Sequence, residues 1–212
     1  MTLLTRLLTC LLNKMTLRQL APYKSLIVFA VTLVVANTVW KLSVRGDEAG
    51  VGDVTLWGMT VTPFFDVLVR NVAEAVYRLL CLTRDGITLT GTFIRFPEGH
   101  GNLIVWPCTP VKQSFIWLCL MLTATGIWWR KLWYIPLGWA VIYGFNILRI
   151  YWICLITQNH PDLFHIIHGY VFKYLFYFVI FLMWVLWEQV IGGTPESRCT
   201  QTSKYQHKNQ QL

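Results

Sequence analysis

Charge is scarce in this sequence. Only 13% of its 212 residues are charged, and acidic residues are rarest, 10 against 18 basic ones. So little charge beside 55% hydrophobic residues excludes an ordinary soluble domain and points to a chain that crosses a membrane several times. Paired cysteine spacing is also missing. Cys10, Cys81, Cys108, Cys119, Cys154 and Cys199 are scattered, which implies neither a disulfide framework nor a metal motif. Cys119 and Cys154, inside apolar runs, read as small core residues. The opening stretch "MTLLTRLLTCLLNKMTLRQLAP" lacks a small-residue cleavage motif and is interrupted by Arg6, Lys14 and Arg18. It reads as an amphipathic cytoplasmic helix on the membrane surface, with Met15 an alternative start. The net charge of +8 does not mark a nucleic-acid binder, because the basic residues stand at the ends of apolar segments.

What the chain does have is long apolar runs. Residues 25–40 (reaching about 44), 111–129, 135–157 and 163–191 each approach the roughly 20 residues a bilayer core needs. Pro136 falls in the first turn of the third run. Residues 45–55 are polar and Gly-rich, an outside loop. In residues 61–82, Asp66, Arg70, Glu74 and Arg78 recur every four residues along one face. That is an amphipathic helix, lying in the interface in preference to lining a polar cavity. "ITLTGTFIRF", "PEGHGN" and "LIVW" in succession predict a short β-hairpin. The expected fold is an all-α polytopic membrane protein: about four transmembrane helices, an amphipathic helix and a short extracytoplasmic β-hairpin. Residues 1–192 form one integral membrane domain and 193–212 a polar, disordered cytoplasmic tail.

Alternation from an inside N-terminus puts Arg130–Lys131 and the basic tail inside and Cys108 outside. Cys108 then lies at the outer mouth of its helix, and Arg149 about 21 Å up the next span. His165 and His168 lie in the first turns of the last one. A thiol, a guanidinium and imidazoles at one depth suit a cysteine-based acyl transfer. Thr109 as N-cap and Pro110 as first helical residue would start a helix just after Cys108. Its free N–H groups, together with Lys112, would depress the thiol pKa. Asn146 lies one turn below Arg149 on the same face. Other readings stand beside this one: Cys108 as an inert small residue, Arg149 as a snorkelling cation, Asn146 as a helix-packing residue. His160, His165 and His168 could serve a metal- or haem-binding subunit, and the chain could be a non-enzymatic assembly protein. Lys173 and Glu188 read as snorkelling or paired.

"WPCTPVKQ", "KLWYIPLGWAVIYGFNILRI" and "HPDLFHIIHGYVFKYLFYFVIFLMWVLWEQ" resemble, in order, the three signature regions of exosortases and archaeosortases, polytopic cysteine transpeptidases. The resemblance covers roughly residues 88–190 and rests on the order Cys, Asn-x-x-Arg, His, each on its own helix. It departs at Thr109-Pro110, where the family commonly has Ser-Gly. It implies Cys108 as nucleophile, Arg149 as catalytic arginine and His168 as catalytic histidine, with His165 the alternative and Lys112, Gln113 and Asn146 in support. It also implies a secreted protein substrate ending in a motif, an apolar helix and a basic tail, and an envelope lipid or glycan acceptor. By the resemblance no cofactor is needed, and the chain belongs in a bacterial inner membrane with its site facing outside.

Overall fold

In the computed structural model, which describes residues 24–47, 52–159, 162 and 171–192, the first apolar run forms one helix, α1, Lys24–Ser43. Only Phe29, Ala36 and Ser43 of it are buried, while Val31, Val34, Val35 and Leu42 face outward. So continuous an apolar surface fits contact with lipid. Among the described residues, three helical stretches are long and apolar enough to cross a membrane: Lys24–Ser43, Trp128–Gln158 and Phe172–Ile191.

The expected span 111–129 is different. Its helix, α3, is Val111–Thr123, only 13 residues. At 1.5 Å per residue that is about 20 Å, short of a bilayer core of about 30 Å. The helix stops where the Thr123 hydroxyl donates back to the carbonyls of Cys119 and Leu120, each at 3.1 Å, and Ala124 turns extended. Gly126 then takes a φ of 126°, closed to other residues, and its backbone abuts Gly192, whose carbonyl oxygen would lie 2.7 Å from any added Cβ. Trp128 and Trp129 therefore open the next helix, α4, Trp128–Asn159, and Pro136 lies inside it, not in its first turn. The final described helix is α5, Phe172–Leu186, which passes into a π-helical segment, Trp187–Ile191.

These helices alternate in direction. Phe29 meets Trp184 at 4.6 Å between ring centroids and Trp40 meets Phe115 at 5.7 Å, so α1 runs antiparallel to α3 and α5. Tyr134 stacks on Trp187 at 5.2 Å and Phe145 packs edge-on to Phe176 at 5.0 Å, which sets α4 against α5 in the same way. α4 approaches α3 closely because Gly138 has no side chain; the indole of the fully buried Trp117 occupies the space where a Cβ would stand. One end of the bundle is closed by three bonds. Arg130 Nη1 donates to Ile191 O (2.6 Å), Lys131 Nζ to Ala124 O (2.5 Å) and Trp187 Nε1 to Thr125 O (2.8 Å).

The opposite end carries strands. The predicted polar loop, residues 45–55, is flanked by a three-stranded antiparallel sheet, β1 (Val44–Arg45), β2 (Thr55–Leu56) and β3 (Met59–Thr60). Trp57 and Gly58, both with positive φ (50° and 85°), join β2 to β3, as a two-residue hairpin turn of the right twist requires. The predicted hairpin is also a three-stranded sheet. "ITLTGTFIRF" is not one strand but two, β4 (Thr88–Thr90) and β5 (Phe93–Arg95), and β6 (Asn102–Leu103) pairs with β5. This sheet sits on the C-terminal end of α4, where Gln158 Nε2 donates to Glu98 O (3.0 Å) and the Thr157 hydroxyl to Asn102 Oδ1 (3.1 Å).

The amphipathic segment is α2, Thr62–Cys81. Its apolar stripe of Val69, Val72, Ala73, Val76 and Leu80 is buried against Ile87, Ile94, Ile104, Ile150 and Cys154. It thus covers the second sheet and α4. The charged stripe faces outward, where Arg78 and Glu74 pair at 3.8 Å with both side chains largely exposed. The predicted N-terminal surface helix and the C-terminal tail lie outside the described residues.

Candidate functional site

Cys108 ends a 3₁₀ turn, Trp106–Cys108, with Pro107 inside the turn and Pro110 just beyond it. Pro107 and Pro110 fix their own φ and donate no hydrogen bonds, so the turn closes on its other amides. Cys108 N–H donates to Val105 O (2.8 Å) and Thr109 N–H to Trp106 O (3.0 Å). The Thr109 hydroxyl donates to the same Trp106 oxygen at 2.7 Å. It therefore does not cap α3; Pro110 takes the cap position, with no side-chain bond to the first amides of the helix. Trp106 anchors the turn, its indole N–H donating to Asp47 O at 2.7 Å and its ring edge-on to Phe65.

α4 holds the turn from the other side. Asn146, fully buried, donates from Nδ2 to the Cys108 carbonyl oxygen at 2.8 Å. Its Oδ1 is buried with no hydrogen-bond partner among the described residues. Arg149, one helical turn further and 7% exposed, is close enough to act electrostatically on the Cys108 thiol. Two of the expected partners of the thiol are thus brought to it. The expected low thiol pKa is not found. Cys108 is half-buried and packs against the core cluster that α2, the second sheet and α4 form. That burial pushes its thiol above the ordinary value and outweighs the Val105 backbone and the Arg149 guanidinium, which both act to lower it.

Beside this pair lies a cavity of about 680 Å³, within the range of ligand pockets. Arg149, Thr109, Lys112 and Gln113 line it, together with Trp106 and Pro107 from the cysteine turn. Cys108 itself is not part of the wall. The other contributors come from the end of α1 and the start of α5, and they include Lys41, Arg45 and Lys173. None of those three stood out in the sequence, where Lys173 reads as a snorkelling residue. The signal available was positional: Lys41 and Arg45 are cations at the end of an apolar run, on the face where the charge rule does not expect them. His160, His165 and His168 lie outside the described residues. Among the described residues no group of His, Cys, Asp and Glu could hold a metal ion. Cys119 is half-buried and Cys154 buried, both within helices, as expected of small packing residues.

No protein-family model, curated protein or solved structure matches this chain.

Proposed function

We propose that the chain is a membrane cysteine transpeptidase that cleaves the C-terminal sorting signal of a secreted protein. The observation that carries this reading is the Asn146–Cys108 hydrogen bond, with Arg149 one turn away and electrostatically coupled to the thiol. Asn146 and Arg149 belong to the Asn-x-x-Arg motif, and both converge on the cysteine turn. A structural cysteine in an apolar bundle needs neither a buried amide on its carbonyl nor a buried guanidinium near its sulfur.

In this reading the resting thiol is protonated, because it is buried. An imidazole, His168 by the resemblance, takes its proton as sulfur attacks the carbonyl carbon of the sorting motif. Arg149 binds the oxygen on which negative charge develops. Collapse of that intermediate breaks the C–N bond, and the imidazolium returns the proton to the departing amine. An acceptor amine from an envelope lipid or glycan then displaces the thiolate and leaves a new amide; water in its place gives simple hydrolysis. Asn146 fixes the cysteine turn by its carbonyl and takes no part in proton transfer.

The test is to trap the thioester. Membranes carrying the protein are incubated with a tagged candidate substrate, taken from neighbouring reading frames that end in a motif, an apolar helix and a basic tail. The sample is quenched in acid and the Cys108 peptide analysed by mass spectrometry. An acyl adduct on Cys108, absent in Cys108→Ser, is the expected result. Cleavage that persists in Cys108→Ser overturns the reading.

A further inference from the structure

The lining of the cavity has one sign of charge. Lys41 and Arg45 come from the end of α1 and β1, Lys112 from the first turn of α3, Arg149 from α4 and Lys173 from α5; no acidic side chain lines it among the described residues. Lys41, Arg45 and Lys173 are in no ion pair among those residues. Lys41, Arg45 and Lys173, from two helices and a strand, repel one another, and no carboxylate in the wall offsets them among the described residues.

Depth is a second, independent observation. The wall includes residues 40, 41 and 44–46, where a helix long enough to span a membrane ends, and Trp40, Trp106 and Tyr177 stand in the same wall. Aromatic residues at the end of a span mark the level of lipid headgroups. A cationic chamber at that level meets phosphate before any other anion.

We propose that this cavity binds a phosphate-bearing ligand, held by Lys41, Arg45 and Lys173 at its mouth with Lys112 deeper in the wall. Its depth favours the headgroup of an anionic lipid over a free phosphate compound. This goes beyond the cysteine chemistry and does not depend on it; a protein without peptidase activity could use the same cavity.

The experiment measures binding, so a failure of the transpeptidase reading leaves it intact. The full chain in neutral detergent is titrated with short-chain phosphatidylglycerol, with the matching diacylglycerol, and with inorganic pyrophosphate, following intrinsic tryptophan fluorescence. Saturable binding of phosphatidylglycerol but not diacylglycerol is expected, and the Lys41→Gln, Arg45→Gln, Lys173→Gln triple variant should weaken it at least about tenfold per two charges removed, by the scale of charged hydrogen bonds. A control variant, Arg70→Gln with Arg78→Gln, removes charge from the exposed face of α2 and should leave affinity unchanged. Saturable pyrophosphate binding that is lost in the triple variant, with no lipid binding, supports the phosphate site and assigns its ligand to the free compound. Absence of any saturable phosphate binding overturns the proposal. So does equal loss in the triple and control variants, which would reduce the effect to net charge.

Discussion

At Cys108 a half-buried thiol meets a buried guanidinium, and the two act in opposite directions on one proton. Burial favours the neutral thiol, Arg149 favours the thiolate, and burial prevails. A raised pKa means less thiolate than a free cysteine at every pH below it. Alkylation should therefore be slow near neutrality and reach its midpoint above about pH 8.5, the midpoint of a free thiol. Arg149→Gln should move the midpoint higher still. A midpoint below that of a free thiol, or a downward shift in Arg149→Gln, would contradict the balance described. Arg149 also carries a test of its proposed role. Arg149→Lys keeps the charge but loses the planar fork that can grip an oxyanion. Substrate cleavage at matched protein level should fall about a hundredfold, the scale of one lost oxyanion contact. Near-normal cleavage by Arg149→Lys would remove the argument for a directional contact. Asn146→Ala should cost about 1–3 kcal/mol of stability by leaving the Cys108 carbonyl without its buried donor, and should reduce cleavage less than Arg149→Lys. Asn146→Ala melting at the wild-type temperature would show that the bond holds nothing in place.

Among the elements, α3 depends most on its neighbours. It is too short to reach across a bilayer core, and it is held by contacts along its whole length: Trp40 against Phe115 near its start, Trp117 against Gly138 in its middle, Thr32 against Thr123 at its end. The Trp117–Gly138 contact is the tightest of these. Any Cβ at residue 138 meets the indole, and both groups are buried, so neither can swing into solvent. Gly138→Ala should destabilise the protein by about 1–3 kcal/mol, the range for overpacking a filled core. The same substitution in a Trp117→Ala background should cost much less, since the obstacle is gone. Thermal unfolding in detergent measures both, and simple additivity of the two substitutions would refute the steric account.

For the molecule as a whole, the two ends of the bundle differ in kind. One gathers Arg130, Lys131 and the end of the π-helical segment; the other carries both sheets, the cysteine turn and the cationic cavity. From the charge bias of the basic cluster we propose that the first end faces the cytoplasm. The naturally exposed Cys81, at the end of α2, should then react with a membrane-impermeant maleimide in intact cells. A Trp129→Cys substitution, at an exposed site beside Arg130, should react only after permeabilisation. The reverse pattern would invert the topology and place the cavity and Cys108 on the inner side.

Apolar run length and the position of charge determined a good deal without any coordinates: three of the four expected helices of membrane-spanning character, the polar segments between them, and the approach of Cys108 to Arg149. That meeting was legible because antiparallel helices of constant rise place residues at depths that can be counted. Three things were decided only by tertiary structure. The end of α3 at Thr123 depends on the backbone of Gly126 against Gly192, and composition across residues 111–129 carries no trace of that contact. The burial that raises the thiol pKa comes from α4 and the second sheet, distant in the chain, whereas the helix terminus that would lower it is adjacent and so was the only influence visible. The cationic cavity joins residues 41, 45, 112, 149 and 173; they come from five different elements, and only packing gives them a common space.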